Sequence, residues 1–174
     1  MRHKATPARP LIVIGLGANL PSAAYGGPKA TLTAALERFE DAGLHVTARS
    51  RWYESEPVPK SAQPNFINAV VRVETTMTPA ALMAVLQRIE KDFGRTKGAR
   101  NAARCIDLDL IAYGDKVTRN ASVPLLPHPR MHERAFVLLP LREVAPRWYH
   151  PLLGRTVDEL IEALPRDQVA RPVA

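Results

Sequence analysis

Two aspartates, Asp107 and Asp109, stand two residues apart in the run Cys105-Ile106-Asp107-Leu108-Asp109-Leu110-Ile111. The run is apolar at every other position, so it reads as a strand. Side chains alternate along a strand, so both carboxylates leave one face while Ile106, Leu108 and Leu110 enter the other. Their Cα atoms are expected about 6.6 Å apart at the usual rise. Two carboxylates this close repel unless a positive charge lies between them. Mg²⁺ suits the place, because it accepts one or two carboxylates and completes its octahedron with water and phosphate oxygens. An isolated Asp-x-Asp is commonly a solvated pair on an edge strand, but the neighbours here change the reading. Residues 91–104 carry Lys91, Arg95, Lys97, Arg100 and Arg104 against Asp92 alone. Carboxylates for a metal beside guanidinium groups for phosphate are the parts of a phosphoryl-transfer site.

Other candidates lie elsewhere in the chain. The segment 124–136, PLLPHPRMHERAF, offers His128, Arg130, His132 and Arg134 as donors to a phosphate or leaving group. A zinc site at His128 and His132 is disfavoured, because Pro129 interrupts any helix joining them and no third ligand is placed nearby. Phe66 and Asn68 share one face of a strand, where an amide and a ring can read the edge and face of a flat heterocycle. Gly15-Leu16-Gly17-Ala18-Asn19-Leu20 fails the dinucleotide fingerprint at its sixth position, and no P-loop motif exists. Gly15 and Gly17 are therefore expected to permit a tight exit from a strand.

The elements that must hold these residues follow from periodicity. Leu11 to Leu16 is a continuous apolar run, as in a buried strand. After Pro28, the residues Leu32, Ala35, Leu36 and Phe39 mark one helical face, closed by Gly43. Leu44, Val46 and Ala48 alternate in a strand reaching about Glu54, and Ile67, Ala69, Val71 and Val73 alternate in the next. Thr78 and Pro79 open a helix whose apolar face is Leu82, Val85, Leu86, Ile89 and Phe93, with Gly94 as its stop. Residues 94–103 read as a loop, 105–113 as a fourth strand, and Gly114-Asp115 as a hairpin signal. The order strand, helix, strand, strand, helix, strand predicts an α+β fold with a ferredoxin-like βαββαβ core and an antiparallel sheet. The remainder is expected as a C-terminal extension on the same core, with a capping box at Thr156 and Glu159.

Composition bounds the rest. The chain has 174 residues, 46% apolar and 24% charged, which suits one globular domain and excludes disorder for its bulk. The reading is a flexible basic tail at 1–10, one domain at 11–165 and a flexible tail at 166–174. No apolar run reaches the roughly 20 residues of a membrane helix, and the first ten residues lack the apolar region of a secretory signal. The lone Cys105 precludes an internal disulfide and fits a reducing cytoplasm. A net charge of +7 calls for an anionic partner. Nucleic acid is one such partner, but aromatic residues are only 6% of the chain and no RNP1 pattern is present. A metal-dependent nuclease would use the same carboxylates and arginines.

Five blocks in order, GLGANL, QPNFINAVV, QRIEKDFGR, the run Arg100 to Ile111, and LPHPRMHERAFVLLPL, resemble the 6-hydroxymethyl-7,8-dihydropterin pyrophosphokinases of folate biosynthesis over roughly residues 11–165. The resemblance implies transfer of pyrophosphate from ATP to the pterin hydroxymethyl group, with release of AMP. It implies two Mg²⁺ held by Asp107 and Asp109, and Arg95 and Arg104 on the triphosphate. Gln87, Glu90, Leu110, His128 and Arg134 are implied at the nucleotide. Asn68, Ser55 and the backbone near Val58 are implied at the pterin, between the rings of Phe66 and Phe136. A monomer binding small molecules, neither nucleic acid nor membrane, is the corresponding expectation. The chain departs from the family pattern before Arg104, where Asn101-Ala102-Ala103 replaces a stretch that usually carries tryptophan and Gly-Pro.

Overall fold

The computed structural model describes residues 8–94, 105–119 and 122–174. The first part of the chain forms β1 (Ile12–Ala18), α1 (Pro28–Asp41), β2 (His45–Arg49), β3 (Trp52–Ser55), β4 (Phe66–Glu74), α2 (Pro79–Asp92) and β5 (Asp107–Tyr113). Then come a single 3-10 turn at Met131–Glu133, α3 (Ala135–Val144), β6 (Tyr149–His150), β7 (Arg155–Thr156), α4 (Val157–Glu162) and β8 (Ala170–Val173). The sheet runs β5-β1-β4-β3-β8, with β2 also on β4, and every pairing is antiparallel. This is the expected ferredoxin-like order with one strand added.

Local signals set the helix ends. Thr78 Oγ1 accepts the Ala81 N–H at 3.2 Å, satisfying one of the donors that a helix start leaves open. Pro79 occupies the first turn, where its missing N–H costs nothing. The capping box of Thr156 and Glu159 is formed in full.

The sheet is covered on both faces. Ile12, Ile14, Leu16, Val71, Val73, Leu108 and Leu110 pack against α1 and α2 through Leu32, Phe39, Leu82 and Leu86. Val13, Val70 and Ile111 pack against α3 and α4 through Val137, Leu138, Leu141 and Leu160. The C-terminal extension therefore builds a second core on the opposite face rather than joining the first.

Three other expectations are corrected. The single strand after α1 is broken at Ser50, whose hydroxyl accepts the Val70 N–H at 3.0 Å and donates to Arg51 O at 2.7 Å. Gly114 does close β5 in a turn (φ 58°), but among the described residues no later strand pairs with β5 to make a hairpin; its N–H goes to Leu11 O instead. Residues 166–174 are not a loose tail, because Ala170–Val173 pairs with Trp52–Ser55 at the edge of the sheet. Of the basic segment 1–10, residues 1–7 lie outside the described residues, and Arg9 pairs with Glu74.

Candidate active site

Register brings the candidate residues together. Gly17 of β1 faces Asp107 on one side and Asn68 on the other, and Gly15 faces Asp109 and Val70. Cross-strand partners share a face, so the aspartates, glycines and Asn68 form two rows across the sheet. A methyl at Gly17 would stand 3.0 Å from Asn68 Oδ1 and 3.9 Å from Phe66 Cδ1. The glycines lie inside β1, not at its exit, and their missing side chains leave the floor of a cavity open. That floor role, set by register, corrects the expected one.

Around this floor stand Ser55, Glu56, Val58, Phe66, Asn68, Asp107, Asp109, Arg134 and Phe136. Asn68 and Ser55 are both buried, and the Asn68 amide donates to Ser55 Oγ at 2.8 Å. This bond fixes the amide for a ligand edge. Arg134 places its guanidinium 5.5 Å from the Phe136 ring centroid, and its presence in this cavity puts it beside the aspartates rather than in the second cavity. Asn19, buried at the end of β1, donates to Gln63 Oε1 and Pro64 O, tying down the loop that delivers Phe66. Asn19 carries no chemistry of its own, and only the fold reveals its part.

A second cavity opens on the other side of β5, between α2 and the loop after it. Gln87, Glu90, Leu108, Asp109, Leu110, Val123, Pro124, Leu125 and His128 line it. Glu90 is buried and accepts the Leu108 N–H at 2.7 Å, locking α2 to β5. Val123 and Leu125 are exposed apolar residues that sequence reading passed over; their only signal was apolar side chains amid prolines. Asp109 lines both cavities.

His128 is anchored by its own N–H to Ile111 O at 2.8 Å, and its Nδ1 accepts the Arg130 N–H at 3.2 Å. Burial pushes its pKa down; the Asp109 charge opposes this, while Arg134 and Arg130 add to it. The ring is thus neutral at neutral pH, with the proton on Nε2. His132 lines neither cavity, and its ring meets that of His150 edge-on at 6.1 Å. Arg95, Lys97, Arg100 and Arg104 lie outside the described residues.

Two carboxylates fit a hard divalent cation such as Mg²⁺. Among the described residues no group of three or more His, Cys, Asp or Glu forms a cage. A soft or tetrahedral metal needs such a cage, whereas Mg²⁺ uses one or two carboxylates and substrate phosphates.

An antiparallel α+β sheet with an amide-and-ring cavity and an acidic edge strand is the architecture of a small-molecule-binding enzyme. The model of the 7,8-dihydro-6-hydroxymethylpterin-pyrophosphokinase family matches residues 13–146, and the chain belongs to that family. A 2-amino-4-hydroxy-6-hydroxymethyldihydropteridine pyrophosphokinase of Synechocystis is 39% identical over 150 residues, which are 86% of this chain and 74% of that protein. A folic acid synthesis protein of Pneumocystis carinii is 38% identical over 153 residues, 88% of this chain and 20% of that protein. The Plasmodium falciparum HPPK-DHPS crystal structure superposes with a TM-score of 0.68 at 14% identity, over 91% of this chain and 44% of that one, and shows the same fold. The chain thus spans a fifth of the Pneumocystis protein and under half of the Plasmodium one. No helix among the described residues is long and apolar enough to cross a membrane.

Proposed function

We propose that this chain transfers the terminal pyrophosphoryl group of ATP to the hydroxymethyl oxygen of 6-hydroxymethyl-7,8-dihydropterin. The hydroxymethyl oxygen bonds to the β-phosphorus, the bond from that phosphorus to the α-phosphate oxygen breaks, AMP leaves, and the hydroxyl proton passes to solvent. The observation that carries this reading is the position of Asp109, on a strand with one cavity at each side.

The first cavity takes the pterin. The fixed Asn68 amide offers a donor and an acceptor to the heterocycle edge, and Phe66 and Phe136 offer ring faces. The second takes the nucleotide, with Leu110, Val123 and Leu125 giving apolar surface to its base and His128 Nε2–H donating to its phosphates. Asp107 and Asp109 would hold Mg²⁺, which when bound neutralises phosphate charge and favours displacement at phosphorus. Arg134 reaches the phosphates from the pterin side, and the family resemblance assigns Arg95 and Arg104 to the triphosphate as well. Positioning of this kind supplies most of the rate in phosphoryl-type transfer. A monomer in a reducing cytoplasm, which the lone Cys105 suits, belongs to the same reading.

Chromatography of a mixture of protein, Mg²⁺, ATP and the hydroxymethyl pterin tests it. AMP and pterin diphosphate are expected in equal amounts. Loss of ATP at the same rate without the pterin would show a different reaction.

A further inference from the structure

We propose that Gln168 is a positioning residue for the pterin-side cavity, acting through the first turn of α3. This rests on the reading of that cavity as the pterin site. Gln168 lies beyond residues 13–146, the stretch that the family model matches.

The first turn of α3 needs an outside acceptor. Arg134 stands at its N-cap and supplies no side-chain cap. The next residue, Ala135, is 1% exposed, so water cannot serve its N–H. A helix-start donor buried without an acceptor is costly. The Ala135 N–H donates to Gln168 Oε1 at 3.3 Å, so the cap comes from 33 residues further along the chain. Arg134 and Phe136, the neighbours of Ala135, both line the pterin-side cavity.

Packing repeats the same connection. Ala170 clusters with Ala135 and Tyr53, and Phe136 packs on that cluster. In β8 Ala170 also stands opposite Ser55, the residue that holds the Asn68 amide. One short C-terminal segment therefore braces both the helical wall and the strand wall of the cavity. Gln168 itself faces a recess that shares Ser55, Glu56, Val58 and Phe136 with the cavity. The nucleotide-side cavity takes no residue from α3 or the C-terminal segment. Loss of the Gln168 contact should consequently act more on the pterin than on the nucleotide, which meets this turn only through Arg134.

The test is Gln168→Leu beside Gln168→Glu, which keeps an acceptor oxygen at the same reach. For Gln168→Leu, calorimetric Kd and steady-state KM for the pterin should rise roughly three- to tenfold, the scale of one lost helix cap. The KM for ATP should rise by less than that for the pterin, kcat should stay near wild type, and the thermal midpoint should fall by only about 2–4 °C, the shift that one lost cap brings in a chain of this size. Gln168→Glu should bind the pterin at least as well as wild type. Should Gln168→Leu not fold, Gln168→Lys, polar but without an acceptor, carries the same expectation. Unchanged pterin affinity, equal losses for both substrates, or a Gln168→Glu as impaired as Gln168→Leu would each overturn the proposal. Absence of pterin binding by the wild type would instead refute the assignment of the cavity.

Discussion

Gly15 and Gly17 differ in what stands above them. A methyl at Gly17 meets Asn68 Oδ1 at 3.0 Å, and that amide is buried and tied to Ser55, so it has little room to yield. A methyl at Gly15 meets Ile111 Cδ1 at 3.4 Å, close to ordinary contact. Gly17→Ala should therefore weaken pterin binding several-fold more than Gly15→Ala, with both proteins folded, as calorimetry would report. Equal affinities in the two variants would contradict the floor role. The chemistry-bearing side chains of the site were legible in the sequence. Asp107, Asp109, Asn68 and Phe66 announce themselves by type and by a spacing of two. The glycines were not, because their role depends on which residues stand across from them, and register is a product of the whole sheet. Asn19 and Gln168 were hidden for a similar reason: each acts on backbone far along the chain.

Among the elements, α3 matters most to the site and was the least legible. It bears Phe136, follows Arg134, and is tied to the sheet at its other end by Glu143. The Glu143 carboxylate accepts the Arg51 N–H at 2.8 Å, the Arg51 Nε–H at 3.0 Å and the Tyr53 hydroxyl. Burial works against its ionisation, but those hydrogen bonds from Tyr53 and Arg51 outweigh it and hold its pKa below the ordinary carboxylate value. A group whose folded pKa is lowered adds stability above its unfolded value and loses it as pH falls through the folded one. Glu143→Gln should thus lower the urea midpoint near neutrality, and the gap to wild type should close well below the ordinary carboxylate range. A gap that stays constant with pH would show that the charge contributes nothing. Most elements before residue 113 were legible because they carry a clear pattern, a period of two in β4 or of 3.6 in α2, whereas the break at Ser50 between β2 and β3 had no such signal. The strand β8 was not, since Ala170-Arg171-Pro172-Val173 is short and contains a proline that only an edge position tolerates.

At the scale of the molecule, the sheet separates two binding events and the edge strand β5 rejoins them. The helices α1 and α2 cover one face and α3 the other, so the α2 wall of the nucleotide-side cavity and the α3 wall of the pterin-side cavity stand on opposite sides. The sequence led to expecting the order of helices and strands along the chain, but the packing of residues 131–164 on the opposite face depended on where that segment returns. Long-range packing of that kind has no local signature. Among the described residues only β5 borders both cavities, and Asp109 is the carboxylate they share. The most direct measurement is therefore pterin-dependent AMP formation by Asp109→Ala, alongside circular dichroism and pterin binding by the same protein. The two-cavity reading predicts a fall of roughly a hundredfold or more in turnover, with the fold and pterin affinity retained. Turnover near that of the wild type would contradict it.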